Sequence, residues 1–157
     1  MAQGALRESL LEAGPGKERL RVLVVEDDDG VASMLAISLA AAGFQVARVS
    51  LGGEALAILE RKGVNAVILD LSLPDGLGGS VLDWLRRVSG CGAPAYLVIS
   101  ALEQGEVKKR YGPLEENFVP KPFDPWALIR KLEGLLEGAG PSRREGESSG
   151  PAPVKGD

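Results

Sequence analysis

Histidine is absent from the 157 residues, and cysteine occurs once, at Cys91. No intrachain disulfide can close, no side chain here can serve as a histidine base or carry phosphohistidine, and the commonest ligand for zinc, copper and non-haem iron is missing. Any metal bound is therefore expected to be a hard ion held by oxygen. Positive charge is also in short supply. Eighteen Lys+Arg against 22 Asp+Glu leave a net charge of -4, so the chain has no field that would hold a nucleic acid or an anionic membrane by electrostatics alone. The longest nearly apolar stretch, residues 35–44, falls far short of the roughly 20 residues that span a bilayer. Residues 1–8 show no basic-then-apolar leader, so a cytoplasmic location is expected. What is present, 45% apolar and 25% charged residues, suits one globular core.

The two ends differ from the middle. Residues 138–157 hold five Gly, three Pro and three Ser, with Ala139, Ala152 and Val154 as the only apolar side chains. Such a stretch buries too little surface to offset its ordering entropy and reads as a disordered tail. Residues 1–19 read as a flexible extension, in which Leu6, Leu10 and Leu11 suit one amphipathic turn before Gly14-Pro15-Gly16 breaks it. Residues 20–137 form the body. They carry 12 basic and 16 acidic side chains, so the whole net charge resides there.

Two periodicities alternate along the body. Short valine-rich or isoleucine-rich runs at 21–25, 44–49, 65–70, 95–100 and 117–120 read as buried parallel strands. Between them lie helical patterns. Asp28 or Asp29 caps a helix ending at Gly43, and 54–62 forms a second. A third carries Val81, Leu82, Leu85 and Val88, a short fourth fits 103–110, and a last one has Leu128, Ile129, Leu132, Leu135 and Leu136 along one stripe. Gly105, Gly112 and Pro113 make the region around the fourth helix the one where irregularity is expected. Strands alternating with helices predict an α/β fold, a doubly wound five-stranded parallel sheet covered on both faces. With strand order 2-1-3-4-5, ligands would sit outside the carboxyl ends of strands one and three.

Those ends carry the chemistry. Glu26, Asp27 and Asp28 follow strand one and Asp70 ends strand three. Converging carboxylates need a cation, and with no nitrogen or sulfur ligand at hand a largely hydrated Mg2+ is the natural partner. Asp28 and Asp29 are read as helix caps, outside the site. Ser100 ends strand four, and Lys121 follows strand five between two prolines. Taken singly, Ser100 is a turn former and Lys121 a solvated lysine. Taken together, the strand ends supply acids, a hydroxyl and an ammonium, the parts needed to accept and hold a phosphoryl group.

In these stretches the sequence resembles the receiver domain of bacterial two-component response regulators. The matching residues are Val22-Leu23-Val24-Val25-Glu26-Asp27-Asp28, Ile68-Leu69-Asp70-Leu71-Ser72-Leu73-Pro74-Asp75-Gly76, Ile99-Ser100-Ala101 and Lys121-Pro122-Phe123. The resemblance covers about residues 20–137 and implies a (βα)5 flavodoxin-like fold. It implies Asp70 as phosphoacceptor. Mg2+ is held by Glu26, Asp27, Asp70 and the backbone carbonyl of Ser72, with Asp27 as a direct ligand. By the same resemblance Ser100 is the switch hydroxyl, Lys121 the phosphate-contacting lysine and Phe118 a rotating aromatic, while the Lys121-Pro122 peptide is cis. The phosphoryl donor would be a histidine kinase or phosphotransfer protein. The output would be a contact with an effector protein or a second copy, with no nucleic acid or membrane partner. Such a chain is no conventional enzyme and catalyses only its own phosphorylation and dephosphorylation. It resembles the stand-alone, chemotaxis-type members, because twenty Gly/Pro/Ser-rich residues cannot fold into an output domain.

One departure marks the output side. Receivers commonly have Gly-Ala ahead of the aromatic, where this chain has Leu114 and Glu115, and Gly112-Pro113 comes two residues early. Two rival readings belong to other classes. Asp27-Asp28-Asp29-Gly30-Val31 after an apolar strand is similar to the opening motif of haloacid-dehalogenase-type phosphatases, with Asp27 as nucleophile. That reading leaves the stretch from Asp70 to Gly76 unexplained, and no acidic pair follows the lysine. The other rival is a receiver-like interaction module that is never phosphorylated.

Overall fold

Branched apolar residues crowd a helix but pack well on a pleated surface, and the valine-rich runs of this chain form the strands of one sheet. The computed structural model describes residues 20–88, 90 and 92–138. Its strands are β1 (Arg21–Val25), β2 (Gln45–Val49), β3 (Ala66–Asp70), β4 (Ala95–Ser100) and β5 (Phe118–Pro120). The helices between them are α1 (Asp29–Ala41), α2 (Gly52–Glu60), α3 (Gly78–Arg87), α4 (Gln104–Tyr111) and α5 (Pro125–Gly138), with a 3-10 turn at Glu115–Asn117. All pairings are parallel and the order is β2-β1-β3-β4-β5, as the sequence led one to expect. The expected extension 1–19, the tail beyond Gly138 and Cys91 lie outside the described residues.

The period-two alternation of the strands divides the core into two layers. Val22, Val24, Ala66, Ile68, Leu97 and Ile99 face α1 and α5, where Leu35, Leu39, Leu128 and Leu132 cover them. Leu23, Val25, Val67, Leu69 and Val98 face the other way, toward Leu59 of α2, Val81, Leu82 and Leu85 of α3, and Val107 of α4. Because both faces are covered, β3 is buried at every position.

Helix ends show where local pattern decides and where it does not. Asp28 Oδ1 accepts a hydrogen bond from Val31 N at 3.0 Å and caps α1. α2 starts at Gly52, two residues ahead of its expected start, because its first N–H groups are met from outside by Asp75. Val88, expected inside the third helix, has already turned to extended backbone. The short fourth helix lies within one residue of its expected 103–110 and is a regular eight-residue helix. The irregularity lies just after it. Gly112 takes φ 84, which ends α4, and Glu115 takes φ 52 as it enters the 3-10 turn.

Glycines differ in whether they could carry a side chain. A Cβ on Gly78 would collide with the Leu71 carbonyl, whereas one on Gly134 in α5 would meet open space. Gly78→Ala is expected to destabilise the chain by about 1–3 kcal/mol, and Gly134→Ala to stabilise it by about 0.5–1 kcal/mol. Urea midpoints check both, and a neutral Gly78→Ala would refute the close approach.

Candidate functional site

Strand order reverses between β1 and β3, and the crevice outside their carboxyl ends is where such sheets place ligands. Glu26 continues the line of β1, its N–H donating to the Val49 carbonyl at 3.0 Å. Asp70 is the last residue of β3. Both are buried, at 3% and 4% exposure, while Asp27 faces solvent. Carboxylate oxygens of Glu26, Asp27 and Asp70 lie within 4.8 Å of one another. Lys121 reaches this cluster from the end of β5, its own N–H held by the Ser100 carbonyl at 2.9 Å. Its Nζ stands 2.9 Å from Glu26 Oε1 and donates to Asp70 Oδ2 at 3.1 Å. The Lys121-Pro122 peptide is cis.

Backbone donors hold the remaining lone pairs. Ser72 N donates to Asp70 Oδ1 at 3.0 Å and Asp28 N to Glu26 Oε2 at 3.1 Å. Glu26 Oε1 is different, because it is buried and pairs with the ammonium by charge without hydrogen-bond geometry. Burial pushes the Glu26 carboxyl up to about 7; the adjacent Lys121 ammonium opposes this, while the neighbouring Asp70 adds to it. For Lys121, burial alone would lower the value, but Glu26 and Asp70 outweigh it and hold the ammonium above its ordinary value. Three acids against one ammonium leave the cluster short of positive charge. An under-satisfied buried carboxylate oxygen among all-oxygen donors fits a hard divalent cation such as Mg2+.

The other candidate residues fall around this centre. Ser100 is fully buried and its Oγ accepts from Leu102 N at 3.0 Å. Phe118 pairs in register with Val98, two residues before Ser100, so the hydroxyl and the ring share one face of the sheet. That ring is buried, beneath a cleft lined by Val107, Lys108, Gly112 and Leu114. Asp29 stands apart, exposed and 3.5 Å from Arg48. Trp126, near the start of α5, is 48% exposed.

Sequence reasoning missed two residues. Asp75 accepts from the backbone of α2. Arg86 of α3 donates to the carbonyls of Tyr111 and Pro113 and so holds the end of α4. A carboxylate directly after a proline, and an arginine at the end of a helix, carry no local sign of such distant partners.

A doubly wound sheet in the order β2-β1-β3-β4-β5 defines a flavodoxin-like α/β fold, here with acids and a lysine at its switch point. The chain matches the response regulator receiver domain over residues 22–133 and belongs to that family, the receivers of two-component systems. It is 36% identical over 118 residues to the sensory transduction protein RegX3 of Mycolicibacterium smegmatis, which covers 73% of this chain and 50% of that protein. It is 33% identical to the DNA-binding response regulator MtrA of the same organism, covering 75% of this chain and 51% of that protein. The chain thus spans about half the length of the curated relatives it matches. Among solved structures, a sensor protein from Polaromonas sp. JS666 superposes with a TM-score of 0.67 at 30% identity, covering 78% of this chain and 99% of that one. The signal receiver domain of a putative Luxo repressor protein from Vibrio parahaemolyticus gives a TM-score of 0.67 at 26% identity, covering 85% and 99%. Among the described residues no helix is long and apolar enough to cross a membrane.

The raised Glu26 value predicts a pH dependence. Between its ordinary 4.5 and about 7 the folded chain holds a proton that the unfolded chain has released, so stability from this group is full below 4.5 and is lost as pH rises through 7. The melting temperature of metal-free protein should fall across that window, and Glu26→Gln should flatten the fall. Equal slopes for the two proteins would contradict the buried-carboxyl account.

Proposed function

We propose that the chain accepts a phosphoryl group on Asp70 from a histidine kinase or a phosphotransfer protein. The observation that carries this reading is a buried carboxylate on the crevice edge of β3, with an ammonium 3.1 Å from one oxygen and two further acids beside it. Burial excludes competing water, and the Ser72 N–H and Lys121 fix the orientation of the carboxylate. One Asp70 oxygen attacks phosphorus, an O–P bond forms, and the bond from phosphorus to the donor breaks with its electron pair leaving on the donor. Little covalent work is asked of the protein, and catalysis is mainly positioning plus charge. Glu26, Asp27, Asp70 and the Ser72 carbonyl would hold Mg2+, which when bound supplies positive charge for the phosphoryl oxygens. Lys121 supplies the chain's own. Ala101, beside Ser100, leaves room for the incoming group.

The output follows from which side of the sheet is touched. Ser100 lies on the face it shares with Phe118 and α4. A phosphoryl oxygen that draws the Ser100 hydroxyl from Leu102 N frees volume toward the Phe118 ring, and the surface of α4, β5 and α5 changes with it. Exposed Trp126 belongs to that surface. The partner is an effector protein or a second copy of the chain, in the cytoplasm. The body itself, residues 20–137, acts as the receiver unit, and its net acidity gives no electrostatic footing for duplex DNA. The reading with Asp27 as nucleophile has less support, since the ammonium pairs with Asp70 and Glu26.

Labelling with a small acyl phosphate in the presence of Mg2+ tests the proposal. One phosphoryl group per chain is expected, lost in Asp70→Asn, kept in Asp29→Ala, and impaired more by Asp27→Asn than by Asp28→Asn. Label on Asp27 would revive the phosphatase reading, and no label under any donor would leave an interaction module.

A further inference from the structure

In the loop between β3 and α3, Asp75 serves a helix that is not its own. The cap position of α2 is Leu51, whose side chain makes no cap hydrogen bond. Asp75 fills that role from 23 residues away, accepting from Gly52 N at 3.1 Å with Oδ1 and from Gly53 N at 2.9 Å with Oδ2. Oδ1 also accepts from Leu77 N at 3.2 Å, closing its own turn. One carboxylate thus satisfies two of the orphan N–H groups of α2 and places negative charge at the positive end of that helix. These hydrogen bonds, that from Gly53 foremost, hold the Asp75 carboxyl below its ordinary value, so it is a charged acceptor at neutral pH.

The backbones meet here because residue 52 has no side chain. A Cβ on Gly52 would lie 2.7 Å from Leu77 Cβ and 2.9 Å from its carbonyl. The loop is short and tied at each stage. Ser72 N is bound to Asp70 Oδ1, Gly76 N to the Leu73 carbonyl at 3.0 Å, and Gly78 abuts Leu71. Leu71 and Leu73, on either side of Ser72, are buried in the core, and Asp75 ties the next part of the loop to α2 by hydrogen bonds.

We propose that Asp75 is a positioning residue for the carboxylate cluster. By fastening the loop after Asp70 to the start of α2, it holds the Ser72 backbone where the cluster uses it. Its consequence for phosphorylation rests on the phosphoryl-acceptor reading above, but the tether itself does not.

Two measurements on full-length Asp75→Ala and Asp75→Asn test it. Amide hydrogen exchange in Asp75→Ala should quicken at Gly52, Gly53 and Leu77, and also about tenfold at Ser72, which Asp75 does not touch. In Mg2+ titrations of Asp70 labelling, the half-saturating Mg2+ concentration should rise about tenfold while the saturating rate stays within about twofold. Asp75→Asn keeps one acceptor oxygen and should fall between the two. Unchanged Ser72 exchange overturns the proposal, as does a lowered melting temperature with an unchanged Mg2+ dependence. Absence of label from the unsubstituted protein would defeat the phosphoryl-acceptor reading instead, and Ser72 exchange would still decide the tether.

Discussion

Three carboxylates and one ammonium converge at the crevice where the strand order reverses between β1 and β3. Two unit charges about 4 Å apart repel by about 4 kcal/mol at the effective dielectric near a protein surface, so a cluster within 4.8 Å cannot be indifferent to what neutralises it. Lys121 balances part of the charge by lying between Glu26 and Asp70. The rest is handled unevenly. Asp70 is satisfied on both oxygens, Asp27 faces water, and Glu26 keeps one oxygen without a directed partner and holds its proton to about 7. The cluster is therefore poised for added positive charge, and the elements around it are arranged to keep it so.

What surrounds it is held by backbone approach more than by side-chain bulk. Gly52 against Leu77 and Gly78 against Leu71 bring α2, the β3–α3 loop and α3 into direct contact. Arg86 then carries the connection from α3 to the end of α4 through the Tyr111 and Pro113 carbonyls. These contacts all lie on the layer that contains Phe118, whereas α1 and α5 pack on the opposite layer against Ile68 and Ile99. A change at Asp70 thus has a chain of direct contacts toward α4.

The strands were legible because a buried parallel strand leaves a run of branched apolar residues, and β1 and β4 begin and end where those runs do. The members of the acid cluster were legible for a topological reason, since right-handed crossovers bring all strand ends to one edge. Partners remote in the sequence were not. α2 starts early because of Asp75, and a search for caps near residue 52 meets only Leu51. Gly105, Gly112 and Pro113 marked the region of α4 as the one where irregularity was expected, and a short helix there was legible. In fact Gly105 sits within the helix with space around it, Gly112 ends it, and Arg86 secures the segment that follows. Nor could spacing tell that Glu26 is buried while Asp27, next to it, is exposed.

Charge around α4 has a pattern that a total of -4 conceals. The last turn of α4 carries Lys108, Lys109 and Arg110, and the 3-10 turn that follows carries Glu115 and Glu116. Glu106 already binds Arg110 at 2.8 Å. A polyanion such as duplex DNA rewards a continuous positive surface, because each neutralised phosphate releases counterions. Alternating signs over a few residues instead reward a partner with the complementary alternation, and they set orientation and reject wrong partners more than they add affinity. One relative is a DNA-binding response regulator, and this chain spans only about half of it. Within the described body, the face around α4 offers mixed charge and no continuous positive surface.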